Sequence, residues 1–72
     1  MFTNIEVYSD INEQLEFRVF DMLGNVVHQD QVEIFEGENR FEFDGSALSS
    51  GIYTFSLSSD LGTVTRKIII SK

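Results

Sequence analysis

Leu15-Glu16-Phe17-Arg18-Val19-Phe20-Asp21-Met22-Leu23-Gly24 is the stretch that decides how this chain folds. Leu15, Phe17 and Val19 alternate with Glu16 and Arg18. Side chains two apart on an extended strand share a face, so this run buries one side and wets the other. A helix would need apolar residues at three- and four-residue spacing, and no part of the chain sustains that pattern. The run closes on Asp21-Met22-Leu23-Gly24, which reads as a type I turn. A carboxylate at the first position accepts backbone N–H groups, and the glycine takes the positive φ that follows.

Moving outward, the same alternation returns. Phe41 and Phe43 alternate with Arg40 and Glu42, and Tyr53, Phe55 and Leu57 alternate with Thr54 and Ser56. Turn signals such as Glu36-Gly37-Glu38-Asn39, Asp44-Gly45-Ser46, Ser50-Gly51 and Asp60-Leu61-Gly62 separate these runs at nearly regular intervals. Strands are expected over 2–8, 14–21, 25–35, 39–43, 52–58 and 63–71. Apolar positions in the third change phase between Val27 and Val32, which suggests a bulge or bend able to split it. The expected fold is all-β, a small antiparallel immunoglobulin-like β-sandwich of six to seven strands without helices.

Seventy-two residues make one domain, expected to span 1–72. So short a chain buries only about 60% of its unfolded surface, and with no cysteine it must hold together by packing. Seven phenylalanines and two tyrosines supply much of the apolar area. The net charge of −7 disfavours nucleic acid and anionic lipid as partners. No segment approaches the ~20 apolar residues that span a bilayer, so direct membrane insertion is not expected. Residues 1–10 lack the basic and apolar regions of a signal peptide. Between a cytoplasmic protein and a fragment exported by an upstream signal, the fragment is the preferred reading.

The candidate sites divide into structural and recognition positions. Asp21 and Gly24 build a turn. Gly51 is expected to reverse the chain with a positive φ, while Leu48 and Tyr53 plug the core on either side of it. The Tyr53 hydroxyl should then find a backbone partner. His28, the only histidine, has no second ligand at metal-binding spacing and reads as an exposed strand residue. The acids at Glu33, Glu36, Glu38, Glu42 and Asp44 match no calcium loop and read as a solvated face. Serines are plentiful, yet no Gly-x-Ser-x-Gly elbow is present. A sandwich this thin rarely encloses the roughly 300 Å³ of a catalytic pocket. No catalytic residue, metal site or cofactor is therefore expected. A sugar-binding or fibronectin-like adhesion module stays open as the alternative function, although no tryptophan offers a sugar platform.

The last strand leaves something over. In Lys67-Ile68-Ile69-Ile70-Ser71-Lys72, alternation sends Ile68 and Ile70 to one face and Ile69 to the other. Only one face of a sandwich strand meets the core, so an apolar side chain is left in solvent between basic residues. Arg66, Lys67 and Lys72 make this tail locally basic on an acidic body. They could guard the strand against aggregation or serve recognition, the partner-binding set then being Lys67, Ile68, Ile69, Ile70 and Lys72.

Taken together, residues 15–72 resemble the C-terminal sorting domain of the bacterial type IX secretion system (type A, the Por secretion system). The resemblance rests on Asp21, Gly24 and Val27 after an apolar strand, and on Gly37, Asn39 and Phe41 in the strand that follows. Leu48-x-x-Gly51-x-Tyr53 and a terminal Lys67-to-Lys72 strand complete it. Family members usually begin with a proline-asparagine-proline-like segment, whereas this chain contains no proline. The resemblance implies the C-terminal piece of a larger secreted protein from a Bacteroidetes-type bacterium. Such a domain would pass from the periplasm through the outer-membrane translocon to the surface or medium. A barrel-type shuttle protein would bind it, and a sortase-like protease would remove it.

Overall fold

The computed structural model describes residues 2–71. Six strands follow one another without a helix: β1 Phe2–Ser9, β2 Glu13–Phe20, β3 Val26–Ile34, β4 Gly37–Asp44, β5 Gly51–Ser59 and β6 Gly62–Ile70. All pairings are antiparallel. β1 and β4 form a two-stranded sheet, and the other four form a sheet in the order β3-β2-β5-β6. The two sheets make an all-β, immunoglobulin-like sandwich of the expected kind, each strand lying within two residues of its expected bounds.

The core follows the period-two pattern. Leu15, Phe17 and Val19 of β2 and Tyr53, Phe55 and Leu57 of β5 face Ile5 and Phe43 of the smaller sheet. Ile34, Ile68 and Ile70 complete the buried set. Phe17 is its hub. Its ring lies 5.4 Å from Phe41 and 5.7 Å from Phe43, both edge-on, and 5.8 Å from Phe55. Such tilted contacts set the electropositive edge of one ring against the face of the next.

The third strand does not split. The register slips between Val19, which faces His28, and Phe20, which faces Val26, so Val27 is the extra residue of a bulge at the strand's start. That bulge decides the fate of His28. Opposite Val19, His28 turns inward, and its ring lies 4.9 Å from Phe43 and 5.7 Å from Phe17. The expectation of an exposed strand histidine is corrected: His28 is half-buried among phenylalanines.

Two strands cannot cover four. An open cleft of about 580 Å³ therefore lies between β1 and the β5–β6 pair, lined in part by Ile5, Val7, Leu57 and Val64. It is an open groove and not an enclosed pocket.

Candidate functional site

The three sequence motifs at 21–24, 48–53 and 67–72 are distant along the chain. Sheet register brings their described parts together. Phe20 pairs with Thr54, Thr54 with Lys67, and Gly51 with Ile70. Antiparallel neighbours alternate in direction, so the end of β2, the start of β5 and the end of β6 share one end of the four-stranded sheet.

The Asp21 turn is built as its residues dictate. Asp21 Oδ1 accepts the backbone N–H groups of Leu23 and Asn25, each at 2.9 Å, and Oδ2 accepts Asn25 Nδ2 at 3.2 Å. Gly24 N donates to the Asp21 carbonyl at 3.1 Å, and Asp21 N donates to the Asn25 carbonyl at 3.0 Å. Hydrogen bonds to the charged carboxylate favour it, so Asp21 titrates below an ordinary aspartate, the Asn25 N–H contributing most. Gly24 has φ +88°, as the turn requires.

Across the sheet end, Tyr53 is buried and donates its hydroxyl to the Ser49 carbonyl at 2.7 Å. Leu48 packs against the core from the loop before it. Both were legible in advance. Gly51 was not: it is the first residue of β5, and positive φ occurs only at Gly24, Gly37 and Gly62 among the described residues. A Cβ at Gly51 would meet the Tyr53 ring at 3.8 Å, an ordinary contact. The expected left-handed turn at Gly51 is corrected to extended strand entry. Gly24→Ala should therefore cost about 1–3 kcal/mol through left-handed strain, whereas Gly51→Ala should stay within about 0.5 kcal/mol. Thermal melting checks this, since each kcal/mol moves the midpoint of so small a domain by roughly 4–8 °C. Equal melting temperatures for the two variants would refute the assignment.

In the tail, alternation holds. Ile68 is 6% and Ile70 2% exposed, while Ile69 between them is 66% exposed. Lys67 shares the outer face with Ile69. The side chains of Ile68 and Ile70 are spent on the core, so they could meet a partner only through their backbone. Lys72, the fifth residue of the expected set, lies outside the described residues. β6 is an edge strand, paired with β5 on one side alone.

Several structural residues carried no decisive sequence signal. Gly45 lies where a Cβ would come within 3.1 Å of Ile70 Cδ1, so its role is close approach to the last strand. Asn39 accepts the Phe35 N–H at 2.9 Å, and its Nδ2 lies 2.7 Å from the Phe35 carbonyl and 3.3 Å from the Val7 carbonyl. It ties the β3–β4 turn to β1. Asn12 accepts the Glu36 N–H at 2.8 Å across the same end. Asn and Gly in a turn are visible from sequence, but a partner 24 or 32 residues away is not.

Chemistry has little foothold. Among the described residues no three His, Cys, Asp or Glu side chains stand close enough to hold a metal. What the motif end offers among the described residues is the exposed Ile69 and, on the same face, Lys67.

A family model described as a secretion system C-terminal sorting domain matches residues 2–71. Searches of the curated proteins and of the solved structures gave no match. The match runs over nearly the whole chain and carries the functional reading, because its family is one of sorting signals and not an enzyme class. An adhesion module is not favoured. The chain belongs to the secretion system C-terminal sorting domain family, and its function is that of the signal that directs a cargo protein through the type IX outer-membrane translocon.

Proposed function

We propose that the end of β6 is what the type IX machinery recognises, with Ile69 and Lys67 in contact with it and Lys72, two residues past the strand in sequence, adding a second basic charge. One observation carries this reading: a large apolar side chain stands 66% exposed between two core isoleucines on an edge strand. Burying it on a partner would contribute about 1.5–3 kcal/mol, and the unpaired edge offers main-chain hydrogen bonds as well. On this reading the folded domain reaches the periplasm joined to its cargo, as the sorting part of a larger secreted protein. A barrel-type shuttle protein binds it there, and a sortase-like protease removes it as the cargo is released or anchored at the surface.

The test uses the domain fused behind a periplasm-directed reporter in a host that carries this machinery. The intact domain should deliver the reporter to the surface or medium. Ile69→Ser combined with Lys72→Ser should trap it in the periplasm while the isolated domain melts as before. Undiminished export by that stable variant would move recognition away from β6.

A further inference from the structure

The geometry points to a docking surface wider than the tail: the whole apolar end of the outer face of the β3-β2-β5-β6 sheet, completed by the Met22–Leu23 turn tip, which takes an apolar protein surface bearing a carboxylate for Lys67. The inference rests on the recognition role just given to β6 and adds a second segment to it.

Outward-facing side chains divide that sheet face in two. Toward one end lie the Glu16–Arg18 ion pair, Gln29, Gln31, Ser58 and Thr63. Toward the motif end, Val26 pairs with Phe20, and Ile52 pairs with Ile69. Val26, Ile52 and Ile69 are all exposed. Thr54 and Lys67 run between them. Where β2 leaves the sheet at this end, Met22 and Leu23 project 77% and 88% exposed. Central positions of a type I turn accept most residues, so the turn itself does not call for two large apolar side chains there. Contiguous exposed apolar area rimmed by polar groups marks an interaction site. The tip is also held in place, since Asp21 Oδ1 accepts the Leu23 and Asn25 N–H groups. A preorganised tip loses little freedom on docking.

Charge selects the occupant. Asp21 is bound up in its turn, which among the described residues leaves Lys67 as the charged side chain on this apolar end. Lys67 has no ion pair among the described residues, while Arg18 and Arg40 are paired. The opposite side of the sandwich is acidic, with Glu6, Glu38, Glu42 and Asp44 on the outer face of the β1–β4 sheet. A second copy docked on this face would join two chains of net charge −7 and would offer Lys67 no carboxylate among the outward residues of the apolar end. A separate partner with carboxylates around an apolar centre fits instead.

The reporter assay decides. Met22→Ser/Leu23→Ser should lower export about tenfold or more with an unchanged melting temperature, as loss of a buried anchor does. Lys67→Glu should lower it similarly, and Lys67→Arg should retain it. Leu61→Ser, which removes another exposed leucine at the far end of the sheet, should export as the intact domain does. Normal export by Met22→Ser/Leu23→Ser alongside failure of Ile69→Ser would overturn this surface and leave the β6 reading standing. Normal export by both would overturn both readings. An equal loss in Leu61→Ser, or a dimer by light scattering that dissociates in Met22→Ser/Leu23→Ser, would also refute it.

Discussion

Phe17→Ala should leave this domain largely unfolded at 37 °C. Phe17 is 2% exposed, and three phenylalanine rings and His28 lie within 5.8 Å of its centroid. Removing a buried phenylalanine costs about 3–5 kcal/mol, because the transfer energy is lost and the cavity collapses only in part. Aromatic edge contacts add about 0.5–1.5 kcal/mol apiece beyond area. A domain of this length has roughly 4–11 kcal/mol of stability in total. No disulfide can compensate, since the chain has no cysteine. Near-ultraviolet circular dichroism and a melt should show loss of fixed packing; a cooperative transition within about 10 °C of wild type would refute Phe17 as the hub.

Tyr53→Ala should be nearly as damaging, at about 3–5 kcal/mol, and Tyr53→Phe should cost only about 0.5–1.5 kcal/mol. The side chain is buried beneath the loop that carries Leu48, and its hydroxyl donates to the Ser49 carbonyl at 2.7 Å. The ring fills core space at the motif end, while the hydroxyl fixes the path of the chain into β5. Chemical denaturation of the two variants separates these contributions. Equal losses would mean that the hydrogen bond and not the packing holds Tyr53.

Phe17→Ala and Tyr53→Ala also separate fold from recognition. Both act through the core, so both should stop export by unfolding the signal. Serine at Ile69 or at Met22 and Leu23 should stop it with the fold intact. The same sheet end is a packing unit on its inner face and a candidate docking surface on its outer face.

Period-two alternation at 15–19, 41–43 and 53–57 was enough to give the strands, their inward faces and the sandwich class. Asp21 and Gly24 gave their turn, and Ile68-Ile69-Ile70 gave one exposed isoleucine between two buried ones. These are local properties: side-chain direction repeats every two residues, and turn chemistry spans four. Only tertiary structure decided the rest. The bulge at Val27 turned His28 inward, because one extra residue exchanges every face beyond it. Gly51 proved extended, because a Ser-Gly pair fits a turn or a strand entry, and pairing with Ile70 selected the latter. Gly45 and Asn39 gained their roles from atoms 25 and 32 residues away. The meeting of residues 21–24, 48–53 and 67–70 at one sheet end came from the strand order β3-β2-β5-β6. That order is set by which apolar faces pack together across the whole chain, and no local pattern encodes it.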